Sequence, residues 1–131
     1  MAGAARALKH LIRLAGGGAL LLGLAIWAGY LFSWLPVHIV FGATLVLAMW
    51  VIAVLAFRAG VRQGFAAVVF LWGVGVVMFG RVQGRILPGP MHWAIQLTHL
   101  LAGGIAMGLG IALAAAVERS AVPPASRTSG T

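Results

Sequence analysis

Two histidines stand inside long apolar runs, where an ionisable side chain is costly and is by default a candidate for function. His38 opens the segment His38-Ile39-Val40-Phe41-Gly42, and His99 opens His99-Leu100-Leu101-Ala102-Gly103. Both segments read HxxxG, which sets Gly42 and Gly103 one helical turn beyond each imidazole on the same face. A flat macrocycle ligated by an imidazole lies against the helix beside its ligand, and a glycine there removes the side chain that would collide with it. His38 precedes Arg58 by 20 residues, and His99 precedes Arg119 by 20. At 1.5 Å per helical residue each imidazole is about 30 Å from its basic rim. The two histidines therefore share one level, near the outer edge of a hydrocarbon layer about 30 Å thick.

Arg81 lies 19 residues beyond Arg62, at nearly the same level, and Arg85 lies one turn further out. A guanidinium at that depth wants an anion. The chain has a single acidic residue, Glu118, and it belongs to the opposite rim. The anion must come from lipid phosphate, from solvent, or from a carboxylate that arrives with a ligand. Haem propionates fit that role. His10 sits in the basic N-terminal segment and needs no special explanation. His92, beside Trp93, is an interfacial histidine and the alternative ligand to His99.

Four spans must position these groups. Of the 131 residues, 63% are hydrophobic and 8% are charged, with a mean hydropathy of +1.09. A soluble domain carries about 25% charged residues, so lipid is the solvent for most of this chain. The expected fold is an all-α, integral-membrane four-helix bundle, up-down-up-down with short connections. The spans fall at about 14–34, 35–57, 63–82 and 91–117. A basic segment, 1–13, precedes them and a Pro/Ser/Thr/Ala tail, 118–131, follows, expected to be flexible. The first run is too long for a cleavable signal, and it closes in Trp27, Tyr30, Phe32 and Trp34, an aromatic belt. Pro36 suits the first turn of the second helix, and Pro88-Gly89-Pro90 breaks the chain between the third and fourth.

Basic residues set the orientation, because they resist transfer to the outer face. Arg6, Lys9, Arg13, Arg58, Arg62, Arg119 and Arg127 fall on one side, and Arg81 and Arg85 on the other. That division puts both termini in the cytoplasm. One Lys against eight Arg, with abundant Ala, Gly and Val, is the composition of a GC-rich bacterium, hence an inner-membrane, multi-pass location. The net charge of +8 does not indicate nucleic acid, because the cations cap apolar runs and do not line a soluble face. With no cysteine, thiolate chemistry and Cys-ligated metals are excluded. Gly73, Gly80 and Gly84 on the third helix, with Gly103, Gly104, Gly108 and Gly110 on the fourth, allow close backbone approach.

Axial-type histidines on two of four membrane helices, small residues beside each, and arginines at the carboxylate end together resemble the small integral-membrane b-type cytochromes, broadly the bacterial cytochrome b561-like group. The resemblance covers residues 14 to 117. It implies bis-histidine, low-spin haem b, with His38 and His99 as axial ligands of the haem iron. The chain departs from the type in having no second histidine pair on its cytoplasmic half. It would be one station in a longer electron path, an electron carrier or subunit more than a stand-alone enzyme, whose partner is a quinol or an outer-face redox protein. Three other readings stand beside it. A non-catalytic accessory subunit of a larger membrane complex would bind no pigment. A bacteriochlorophyll-binding protein would use the same HxxxG pattern. A small transporter would have to use His38 or His99 as its proton site. A hydrolase is disfavoured, because no carboxylate or serine is placed for it.

Overall fold

The computed structural model describes residues 1–121, and within them the chain is all-helical with no strand. Four helices form the bundle: α1 (Ala2–Trp27), α2 (Leu35–Arg58), α3 (Gln63–Val82) and α4 (His92–Ser120). All four are long and apolar enough to cross a membrane. The last ten residues of the tail, Arg127 among them, lie outside the described residues.

The first helix runs from Ala2 to Trp27, where the apolar run alone suggested about 14–34. Its start moves because Ala, Arg, Lys and Leu are strong helix formers. Arg6 and Lys9 are held as well, since both donate to Glu118 of α4, Arg6 at 2.8 Å. The chain's only acid thus fastens the first turns of α1 to the last turns of α4. The end of α1 moves because Gly29 takes the left-handed conformation, at φ 86°. Tyr30 N–H then reaches back to the Ala25 carbonyl and Gly29 N–H to that of Ile26. This closure satisfies carbonyls that the end of a helix leaves open. A short 3-10 turn, Phe32–Trp34, leads into α2, with Pro36 in its first turn. Gly60, at φ 64°, ends α2 in the same way, with Val61 N–H bonded to the Ala56 carbonyl.

Between α3 and α4 the chain makes a 3-10 turn, Gln83–Arg85, and then the Pro-Gly-Pro corner. His92 Nδ1 donates to the Ile86 carbonyl at 3.2 Å across that corner. His92 is therefore a structural tie of the connector. The fourth helix begins there and continues to Ser120, about a turn further than the apolar run, because Glu118 remains on the helix to meet α1.

Packing between helices relies on close approach at small residues. Gly16 receives the Met107 side chain, Gly18 the Phe41 ring and Gly73 the Trp50 indole, while Gly110 is wedged between Ile12 and Met49. Gly84, Gly104 and Gly108 meet nothing within 4 Å, and Gly103 makes an ordinary contact with Leu20 at 3.8 Å. So Gly73, Gly80 and Gly110 serve close packing, and the other four glycines named from the sequence do not. Large apolar side chains such as Leu21, Leu71 and Leu101 point outward and are more than half exposed, as expected of a surface solvated by lipid.

Burial is confined to one end of the bundle. The buried residues fall within 5–19 on α1, 45–56 on α2, 66–73 on α3 and 106–117 on α4. All of these positions belong to the half that carries Glu118. From Leu20, Thr44, Val74 and Ile105 to the opposite ends, no described residue of these helices is fully buried. His38 and His99 lie in that more open half.

Candidate functional site

The equal depth counted from the basic rims has a structural counterpart. The imidazoles of His38 and His99 meet edge to face inside the bundle, with ring centroids 6.3 Å apart and planes inclined at 61°. They come from α2 and α4, so the pair ties together two helices that are not sequence neighbours. Two imidazoles that ligate one metal from opposite sides, each nitrogen about 2 Å from it, have ring centres roughly 6 Å apart. The observed separation matches that requirement.

Each ring has a distinct seat. His38 Nδ1 donates to the Ala19 carbonyl of α1 at 3.0 Å. With the proton on Nδ1, the lone pair of a neutral imidazole is on Nε2. Metal-bound histidines almost always hold their second nitrogen in this way. The His99 ring leans on Phe79, with centroids 5.8 Å apart, and its Nδ1 is buried without a hydrogen-bond partner. An unpartnered buried nitrogen in a low-dielectric interior is costly.

The glycines beside these rings differ from those the HxxxG pattern singled out. A Cβ on Gly42 would meet nothing within 4 Å, and one on Gly103 would meet Leu20. The glycines that make room are Gly23 on α1 and Gly80 on α3, where a Cβ would stand 3.1 Å from Cε1 of His38 and of His99 respectively. HxxxG compares positions on one helix, whereas each imidazole turns toward the neighbouring one. Gly80 was accessible to counting, since it adjoins Arg81. The Ala19 carbonyl carries no side-chain signal at all.

Thr44 and Thr98 donate to their own helices, to the carbonyls of Val40 at 2.8 Å and Ala94 at 2.7 Å, and not to the histidines. Such back-bonding four residues along is the usual fate of threonine in membrane helices. Arg81 ends α3 and Arg85 lies in the following 3-10 turn, both exposed. Neither has a carboxylate side chain to pair with, because the one acid of the chain is engaged by Arg6 and Lys9.

No group of three or more His, Asp or Glu side chains able to hold a metal ion occurs among the described residues. A bare zinc ion wants three or four protein ligands. Two opposed imidazoles suit a metal whose remaining ligands come from a macrocycle. The residues present therefore fit a haem in three respects: ring separation, the second-nitrogen bond of His38, and a bundle half in which no described helical residue is fully buried. Comparisons with protein-family models, curated proteins and solved structures find no match for this chain.

Proposed function

We propose that this chain is a membrane electron-transfer protein or subunit that holds one haem b between His38 and His99, near the outer face of a bacterial inner membrane. The observation that carries the reading is the pairing of the two imidazoles, with ring centroids 6.3 Å apart, on α2 and α4. The group supplies one-electron uptake and release when bound. The chain's own residues do the rest. His38 is oriented by the Ala19 carbonyl and presents Nε2 as the ligand atom. His99 is held against Phe79 and Gly80 and supplies the second imidazole. Arg81 and Arg85 offer their guanidinium groups to carboxylates at the outer rim, where no acidic side chain competes.

In this reading the helices run up-down-up-down with both termini in the cytoplasm. The registers support it: along α1, Ile12 meets Gly110 and Gly16 meets Met107, while Gly18 meets Phe41 and Gly23 meets His38. Partner numbers fall as α1 is ascended, on both neighbours. The seven-to-two division of basic residues supports the orientation. The electron partner is a quinol or an outer-face redox protein, because a single outer-side haem serves only that face.

The visible spectrum of the purified protein tests the reading. The competing reading, an accessory subunit without pigment, draws on the Ala19 bond, which satisfies His38 as a purely structural residue. It gives no reason for the close approach of the His99 ring to that of His38. Copurification of a stable larger complex lacking any pigment would favour it, and a chlorin in place of haem would show in the same spectrum.

Arg81→Ala is expected to lower the midpoint potential of the bound haem. A positive charge near the haem carboxylates disfavours the oxidised, more positive state, so its removal favours oxidation. A redox titration reads the shift, and an unchanged potential would mean that Arg81 serves lipid phosphate alone.

A further inference from the structure

The two imidazoles are not held alike, and the seat of His38 depends on Gly23. In a helix the side chain at any position covers the turn N-terminal to its own Cα. A side chain at position 23 would therefore lie over the turn that contains Ala19. The Ala19 carbonyl already accepts the helical bond from the Gly23 N–H, four residues on. Its second lone pair is open to a neighbouring helix only because Gly23 has no side chain. The His38 ring occupies that opening, with Nδ1 3.0 Å from the carbonyl oxygen. A Cβ at position 23 would come within 3.1 Å of Cε1 and 3.5 Å of Nδ1.

His99 has an equivalent glycine but no equivalent acceptor. Gly80 gives its Cε1 the same clearance, 3.1 Å from an added Cβ, yet Nδ1 finds no partner. Its remaining contacts are with aromatic rings, Phe79 and His38. Shape alone holds it.

We propose that Gly23 is a positioning residue: by leaving the Ala19 carbonyl uncovered it fixes His38 as the Nδ1–H tautomer with Nε2 free, while His99 has no such anchor. The seat is a property of the polypeptide and needs no pigment. Its consequence rests on the reading of the pair as haem ligands. A bond to the second nitrogen raises ligand basicity and fixes ring orientation, so His38 becomes the firm ligand and His99 the one that yields first.

The test is nitrogen NMR of the full-length protein in lipid nanodiscs, labelled at histidine, prepared without haem, and kept alkaline enough for neutral imidazoles. The His38 signal is assigned by its disappearance in His38→Gln. Wild type is expected to show one Nδ1–H tautomer at His38 and exchange between tautomers at His99. Gly23→Ala, which asks the ring to move by only a few tenths of an ångström, should shift the His38 signals. Gly23→Val should abolish the fixed tautomer. Gly17→Ala, on the same helix with nothing within 4 Å, should leave them in place. An Nε2–H or averaged tautomer at His38 in wild type would overturn the proposal, as would unchanged His38 signals in Gly23→Val. A fixed His38 tautomer in a protein that takes up no haem would refute the haem reading and leave the seat standing. Haem uptake with an averaged His38 would do the reverse.

Discussion

His38→Ala and His99→Ala are each expected to abolish haem binding or reduce it to a small residue, and His92→Ala to leave it largely intact. The first two variants each remove one of the two imidazoles whose centroids lie 6.3 Å apart. No third histidine can replace either, since His92 is tied to the Ile86 carbonyl across the corner before α4. The two losses should differ in character. Without His38, the Ala19 carbonyl and Gly23 are left facing an alanine, and the anchored ligand is gone. Without His99, His38 keeps its bond and its orientation, so any haem that remains should be five-coordinate, held from the His38 side. Haem content per protein and the position of the Soret band read both outcomes. Retention of an unchanged spectrum in His99→Ala would make His92 the ligand and break the assignment.

The second large effect is one of packing. Gly110→Val is expected to destabilise the bundle by about 1 to 3 kcal/mol, the usual cost of overfilling a well-packed interior. A Cβ at position 110 would stand 3.1 Å from Ile12 Cδ1 and from Met49 Cγ, and both of those side chains are fully buried, so neither can swing aside. Gly108→Val, two residues away on α4, is expected to cost little, because position 108 meets nothing within 4 Å. The same change on the same helix thus separates packing from helix propensity. Thermal or denaturant unfolding in matched detergent should show a lowered midpoint for Gly110→Val and none for Gly108→Val. Equal effects would mean that the close approach of α1, α2 and α4 at Gly110 does not govern stability.

These two sites show which parts of the molecule could be read from the chain. The four helices follow from the apolar runs and from Pro36 and Pro88-Gly89-Pro90, since lipid leaves an uncharged run of that length few alternatives to a helix. The meeting of His38 and His99 follows from counting along rigid helices from Arg58 and Arg119. The seats of the rings do not follow, because they depend on rotation about each helix axis and on the level of α1. Counting from Arg13, the last cation before the apolar run, misplaces α1 by one to two turns, because Arg6 and Lys9 are the cations that reach Glu118 near the end of α4. Counted from Arg6, Gly23 falls 17 residues in, close to the level of the imidazoles. Gly42 and Gly103 were singled out by a same-helix pattern, whereas the sterically demanding contacts lie between helices, at Gly23 and Gly80. The concentration of buried residues in the half that carries Glu118 also has no consistent sequence signature, because that half is the more polar end of α1 and the more apolar end of α4.

The charge pattern ties the two halves together. Glu118, near the end of α4, is engaged by Arg6 and Lys9, which leaves Arg81 and Arg85 at the other end of the bundle with no carboxylate of the chain's own. Under the proposed function those two cations meet the carboxylates of the haem.

The visible spectrum of the full-length protein, purified from haem-replete cells, tests the central claim most directly. A Soret band and a reduced α band of six-coordinate, low-spin haem b are expected at about one haem per chain, with both bands lost in His38→Ala. A flat visible spectrum from such cells would contradict it.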